Sequence, residues 1–478
     1  MQYANSFDIM KLNTKRNAPN FYKQGRALEN HGFRPGIRFR AQVIAEKRMV
    51  MLKIDMTGDR IVSVKGNATP VIDINTTAVL GLFIGMDRVR VVIRDGEILI
   101  MALASEERRL ERLDRLYATL QANEPLRLAS FSHGAGILSH AVHAGLRDAG
   151  VPVVLAAANE IQPYYIDHAE IHNEAWSPET VRLCGPMQEY VFDDMAMQAI
   201  GPVHMVEAGL PCTAACQPGR AKKSSQGQEQ AEDDVEAGHL IMAFVFGIVR
   251  FNAAIILLEN SVAYASTASM AMYKTQLAEF GYDLHVCTVE AEKFGVLEKR
   301  RRLAAVAVTK GIPFSLDGLA PAHVAGKTVG DILDPVPLDD PSWSPMSYLK
   351  SKEERDQTKK AAGLPGSWFA RQEVKASDTS IPTITKGYTR RRSTDPMLVH
   401  PENPELLRLF TPGEAARAKD VPEHLVADVP KSRALEMLGQ GVAYPPFRAV
   451  AKRIGESVRE WADSKVETVA ETFELQIA

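Results

Sequence analysis

Cysteine is scarce in this chain. Four occur in 478 residues, Cys184, Cys212, Cys216 and Cys287, too few for a disulfide framework at this length. Cys212 and Cys216 stand four apart with no second Cys/His cluster nearby, so that spacing gives no metal site. Long apolar runs are missing too. None reaches the ~20 residues of a membrane-spanning helix, and Met1-Gln2-Tyr3-Ala4-Asn5 does not begin a signal peptide. The expectation is a reduced, cytoplasmic protein without a membrane partner. An excess of either charge is also lacking: 56 basic against 59 acidic side chains leave a net charge of -3. That balance argues neither for nor against nucleic acid.

What is present is the composition of an ordinary soluble protein, 45% apolar and 24% charged. The length is too great for one core and implies two or three domains. Charge is unevenly spread. Residues 1–50 carry ten Lys and Arg against Asp8, Glu29 and Glu46, a local excess of seven. Such a surface faces phosphates or is simply solvated. Residues 1–20 read as a loose arm. Residues 33–101 read as short strands, with a hairpin formed by 88–94 and 97–100 across Asp95-Gly96, which supplies the positive φ angles of a tight turn. Residues 32–36 and 91–100 faintly resemble the small swapped-hairpin DNA-binding folds of some bacterial regulators. A dimerisation or packing module fits the same pattern. Residues 106–121 form a connector helix, apolar along Leu110, Leu113, Leu116, Tyr117 and Leu120.

The next segment has the order of a nucleotide-binding unit. A strand (126–131) runs into Ser132-His133-Gly134-Ala135-Gly136, then a helix (137–150), a second strand (151–157) and Asn159-Glu160. The glycines let backbone approach a ligand, and Glu160 can accept hydrogen bonds from ribose hydroxyls. A packing turn is the alternative, and the spacing does not separate a dinucleotide from S-adenosylmethionine. Further on, an apolar run (202–208) ends in Gly209-Leu210-Pro211-Cys212. A cysteine at a strand exit is either a nucleophile, since the thiolate attacks, or a small apolar core residue. The polar stretch 217–236 behind it is a closing loop or a linker. A helix (237–250) leads to a strand (253–258) ending in Glu259-Asn260. Glu298-Lys299-Arg300-Arg301-Arg302 precedes another strand (303–309).

Taken in this order, the segments resemble the motif blocks of the C5-cytosine DNA methyltransferases. Phe131 to Gly136 is similar to the first cofactor motif, and Ala158-Asn159-Glu160-Ile161, with Tyr165 and Asn173, to the second. Gly209 to Cys212 matches the Pro-Cys nucleophile motif. Leu258-Glu259-Asn260 matches the Glu-Asn motif. Arg300 and Arg302 match the Q-x-R-x-R motif, with Glu298 replacing Gln. Leu409 to Arg417 resembles the ninth block, and Gly439-Gln440-Gly441-Val442 the G-N-x-V block. Departures are His133 and Ala135 where glycines are expected, Pro186 near the place of an acid beside the adenine, Thr213 for Gln, and Gln440 for Asn.

The resemblance implies an α/β fold: a Rossmann-like class I methyltransferase domain with an inserted target-recognition domain and a β-rich N-terminal accessory domain. The divisions are 1–104 (basic, DNA-binding or self-associating), 105–125 (connector), 126–311 (catalytic, first part), 312–406 (target recognition) and 407–478 (catalytic completion and C-terminal helix). It implies S-adenosylmethionine as cofactor, held by Phe131, Gly134, Gly136, Glu160, Ile161, Pro211, Gln440, Gly441 and Val442. It implies methylation at C5 of a cytosine flipped out of double-stranded DNA. Cys212 would add to C6, Glu259 would serve N3, and Arg300 and Arg302 would fix the base electrostatically. Lys386, Tyr388, Arg390 and Arg391 would face phosphates or guanine edges. The alternatives are the same chemistry on RNA and a catalytically silent DNA-binding relative.

Overall fold

The computed structural model describes residues 6–15, 18–211, 231–234, 237–364 and 372–477. They form two compact units that divide between Glu111 and Arg112. None of their helices is long and apolar enough to cross a membrane.

The first unit is built of β-strands. Six pair in the order Ser6–Lys11, Arg88–Arg94, Glu97–Ala102, Met49–Ile54, Arg38–Ile44, Arg60–Ile61, and a further four form a second sheet. Alternation explains the burial: Val89, Val91 and Ile93, with Ile98 and Ile100 opposite, join Phe21, Phe33 and Phe83 in one core. The 88–94 and 97–102 strands pair Arg94 with Glu97 across Asp95-Gly96. Only Gly96 has positive φ (73°). One glycine therefore suffices for this turn, and Asp95 keeps ordinary φ, which corrects the expectation of two positive angles. The hairpin is paired on both sides within its own sheet, by 6–11 and 49–54.

In the second unit we label the strands of the large sheet β1 (Leu126–Phe131), β2 (Val153–Glu160), β3 (Val181–Cys184), β4 (Met205–Gly209), β5 (Ile255–Asn260), β6 (Tyr282–Glu290) and β7 (Arg301–Thr309). Their order is β3-β2-β1-β4-β5-β7-β6. Strand β7 is reversed, antiparallel to both β5 and β6, while the other six strands share one direction. Helices cover both faces, so the central strands β1, β2, β4, β5 and β7 are largely buried on two sides and rich in apolar residues, whereas the edge strands β3 and β6 are only partly buried. Leu128, Met205, Leu257 and Val306 face one side, against helices α1 (Ile137–Asp148) and α6 (Tyr444–Ile477). Ala129, Val206, Ile256 and Ala305 face the other, against α3 (Leu240–Phe251). Small residues let α1 and α6 approach closely. A Cβ on Gly145 would land on the Arg448 carbonyl, and one on Gly455 would lie 2.6 Å from the Ala149 methyl.

Residues 312–406 hold a helix (Ser347–Ala361) and strands that form a small sheet with Leu407–Arg408. Val329, Trp343, Ile384 and Tyr388 pack into the same core as α1 and α6. The chain re-enters the body at Thr411. There the Thr411 hydroxyl accepts the Glu414 N–H (3.1 Å) and the Glu414 carboxylate accepts the Thr411 N–H (2.8 Å), a reciprocal cap with Pro412 in the first turn. Glu414 also takes both arms of the buried Arg408 guanidinium.

Candidate active site

The carboxyl ends of β1, β2, β4 and β5 lie on one edge of the sheet, and β7, running the other way, brings its first residues to the same edge. Ligands of open α/β sheets bind there.

At β1 the chain turns through Ser132 (φ 51°), Gly134 (φ 56°) and Gly136 (φ 77°) into α1. A Cβ on Gly136 would collide with the Asn173 amide and the His133 ring. The Asn173 amide in turn donates to Gly136 O (3.0 Å). His133, which stands in place of a glycine, folds beneath the turn. It is bonded to Ser130 Oγ (2.8 Å) and accepts from Trp176 Nε1 (3.2 Å). Burial, with His143 nearby, holds its pKa at about 3, so the ring is neutral. Glu160 is drawn into the same turn: its carboxylate accepts Gly134 N–H (2.8 Å) and Gln162 N–H (3.0 Å). Ile161, next in sequence, is 58% exposed and offers a flat apolar surface. The C-terminal block arrives from the far end of the chain. Gln440 Nε2 lies 3.8 Å from where a Gly134 Cβ would be, and Gly441 abuts Ile137 so closely that a Cβ would lie 2.8 Å from it. Val442 is buried beneath. Phe131 is a correction: it is buried against Phe244 and Phe251, so its side chain packs the core instead of facing a ligand.

At β4 and β5 the pairing sets Gly209 opposite Glu259. The Glu259 carboxylate lies over Gly209, 3.4 Å from where a Cβ would be. Its other oxygen meets Arg302 Nε at 3.0 Å. Asn260 donates to Leu210 O (3.1 Å) and so fixes the backbone just before Pro211, which is exposed. Cys212, with Thr213 and Cys216, lies outside the described residues. Burial raises the Glu259 pKa, opposed by Arg302, Arg300 and Lys419. The group is therefore better suited than an ordinary carboxylate to carry a proton near neutrality.

The two arginines part ways. Arg302 faces Glu259, whereas Arg300 is buried and donates to Ile384 O (3.3 Å) and Gly439 O (3.0 Å). Beside it, Glu298 and Lys419 form a fully buried ion pair at 2.9 Å. Lys419 and Arg300 outweigh burial and keep the Glu298 pKa low. Sequence reasoning missed Lys419, because nothing local marks a lysine whose partner lies more than a hundred residues away. It also missed Glu207. That acid sits within the stretch read as apolar (202–208) and is fully buried in β4.

Of the basic strip, Lys386, Arg390 and Arg391 are exposed, and Lys386 lies 3.7 Å from Glu436. Tyr388 is a correction: it is fully buried, donates to Pro396 O (2.7 Å) and accepts Phe410 N–H (3.0 Å). A phenol placed to satisfy two backbone groups of the core does not reach DNA.

Residues 127–456 match the model of the family C-5 cytosine-specific DNA methylase. The chain belongs to that family. Among methylase relatives, the Type II methyltransferase M1.ScrFI of Lactococcus lactis subsp. cremoris is 26% identical over 253 residues, which are 52% of this chain and 61% of that protein. The chain thus spans about 61% of the length of this relative. Solved structures with the same fold include the S. pombe Dnmt2 methyltransferase (TM-score 0.53, 17% identity, 70% of this chain and 99% of that one). A mutant of Spodoptera frugiperda DNMT2 superposes with a TM-score of 0.52 (14% identity, 69% and 99%). The Entamoeba histolytica methyltransferase EhMeth gives 0.51 (12%, 72% and 99%). The methylase body of this chain is therefore the mixed α/β sheet described above.

Proposed function

We infer that the chain is a DNA (cytosine-5-)-methyltransferase acting on a flipped-out cytosine in duplex DNA through a covalent Cys212 adduct. The observation that carries this is Glu259, held over Gly209 by Arg302 with a raised pKa, at the edge where the chain passes to Pro211-Cys212. Cytosine C5 is too poor a nucleophile to be alkylated directly. The Cys212 thiolate forms a bond to C6, and Glu259 gives its proton to N3 as negative charge arrives there. The electron-rich C5 would then take the methyl group that S-adenosylmethionine supplies, the sulfur–methyl bond breaking as the C5–methyl bond forms and leaving the neutral thioether. Loss of the C5 proton re-forms the C5–C6 double bond and expels Cys212, while Glu259 recovers the N3 proton. Arg302 keeps the carboxyl oriented through each step.

The glycine turn fits S-adenosylmethionine: Gly136 is confined by Asn173 and His133, Gly134 opens toward Gln440, and Ile161 is bare. Gly134, Gly136, Glu160, Ile161, Pro211, Gln440, Gly441 and Val442 would hold it, and it supplies the electrophilic methyl group. Residues 312–406 are the target-recognition segment in this reading, with Lys386, Arg390 and Arg391 toward phosphates. Residues 1–104 are an accessory module for DNA or for self-association. A restriction–modification role is supported by the Type II methyltransferase relative.

Duplex DNA carrying 5-fluorocytosine tests the mechanism, because fluorine cannot leave as the C5 proton does. With S-adenosylmethionine the wild-type chain is expected to give a denaturation-resistant adduct, and Cys212→Ser none. Glu259→Gln should bind DNA but form adduct at least tenfold more slowly. Adduct on RNA alone would transfer the activity to that substrate. Adduct on neither would overturn the assignment.

A further inference from the structure

Outside the methyl-transfer site, three side chains from distant parts of the sequence converge on one point of the surface. His140 projects from α1, Glu174 follows helix α2 (Pro163–His172), and His424 belongs to the short 3-10 turn Glu423–Val426. One ligand atom from each lies within 4.8 Å of the other two. The Glu174 carboxylate bridges the imidazoles, with His140 Nε2 3.0 Å from one oxygen and His424 Nε2 2.8 Å from the other. Behind this trio, the Tyr444 hydroxyl lies 2.7 Å from His140 Nδ1 and reaches as donor toward the His140 carbonyl at 3.5 Å.

That arrangement has a consequence for charge. A carboxylate only accepts, so each Nε2 facing it must present a cation or an N–H. With its Nδ1 proton held by the Tyr444 hydroxyl, a neutral His140 presents Nε2 as a lone pair toward the carboxylate. A divalent metal ion fits that arrangement, because it takes neutral imidazole and carboxylate together as ligands.

We propose that His140, Glu174 and His424 form a binding site for a divalent first-row transition ion of the zinc class. Two imidazoles and one carboxylate are an established donor set for zinc. They disfavour magnesium and calcium, which prefer oxygen ligands throughout. Tyr444 supplies the outer hydrogen bond that orients a metal-bound histidine. Glu174 and His424 are exposed, so water can complete the coordination. The cysteine spacing that argued against a metal site does not bear on these ligands, which come from three separate elements.

The ion would clamp a segment that seats the glycine turn. Asn173 bonds Gly136 O and Trp176 bonds His133, one on each side of Glu174–Ala175. A bond from Glu174 to histidines on α1 and on the 423–426 turn would cross-link three elements packed around that turn. The site stands independently of the methyl-transfer reading, since it involves neither Cys212 nor Glu259.

Titration of the metal-free, full-length chain with Co2+, followed by visible absorption, tests the proposal. The expected result is a saturable d–d spectrum at one ion per chain, displaced by an equivalent of Zn2+. It should be lost in His424→Ala and in Glu174→Ala, both exposed positions that tolerate truncation. Tyr444→Phe should weaken binding about tenfold while leaving the spectrum in place. Zn2+ should raise the melting temperature of the wild type and not that of His424→Ala. Undiminished Co2+ binding in both truncation variants would overturn the site. So would a near-ultraviolet thiolate-to-metal band, which places the ion on cysteine.

Discussion

At the scale of single residues, the informative features are polar groups placed where water cannot help them. Glu207 is buried in the middle of the sheet, and burial raises its pKa from 4.5 to about 7, with Ser130 and Ser139 only partly offsetting it. Its folded-state pKa lies above its unfolded value, so the stability this group contributes is full below pH 4.5. It is lost as pH rises through about 7. At ~1.4 kcal/mol per pH unit the loss is about 3 kcal/mol. Glu207→Gln mimics the protonated form. It should therefore match the wild type near pH 4.5 and exceed it by up to about 3 kcal/mol at pH 8. Denaturant unfolding of both proteins across that range measures the difference, and parallel pH profiles would refute the assignment. The same scale shows what sequence could and could not reveal. Glu259 and Arg302 were legible because each sits at a strand end beside a recognisable neighbour. Glu207 was not, because one acid in an apolar run leaves the periodicity intact. Tyr388 lies between basic residues and looked exposed. Its burial depends on carbonyl and amide groups of residues 396 and 410, which no local pattern announces.

At the scale of elements, β1 was readable to the residue and α1 and β5 to within about two residues at either end, since buried parallel strands and an amphipathic helix leave strong signals. Strand β6 is weakly marked in the sequence, yet it runs from Tyr282 to Glu290. Asp283 and His285 broke the apolar run, and pairing with β7 overrode composition. What sequence could not provide was the close approach of α1 to α6, three hundred residues apart. Gly145 makes it possible. Gly145→Ala would gain up to about 1 kcal/mol in helix propensity but would force a methyl group onto the Arg448 carbonyl. Overpacking of that kind costs about 1–3 kcal/mol. The clash should win, lowering stability by roughly 1–2 kcal/mol and depressing the melting temperature. An unchanged or raised melting temperature would show that α6 can shift at little cost.

At the scale of the whole molecule, the division into two units follows from two separate cores. The N-terminal core draws on strands within residues 6–111, and the methylase cores use none of those residues. Chains with separate cores commonly unfold in separate cooperative steps. Calorimetry should accordingly resolve two transitions, and a core tryptophan should report only one, because all four tryptophans lie beyond residue 111. A single transition seen alike by heat capacity and by tryptophan fluorescence would contradict this. Sequence places a break near residue 104, and the two units divide between Glu111 and Arg112. It did not anticipate that residues 312–406 would share their core with α1 and α6, because that core is assembled from segments that have no common periodicity.

The position of Arg300 bears on how such proteins diversify. One guanidinium grips the carbonyl of Ile384, within residues 312–406, and that of Gly439 beside the glycine turn. If residues 312–406 read the target, as proposed, exchanging them is therefore not a matter of cutting and joining loops. Any replacement must offer a carbonyl in the same place, or the lineage must first find another tenant for a buried positive charge. On the proposed reading, the segment that selects the target is in this way bound to the body that carries it, by a buried guanidinium as well as by a shared apolar core.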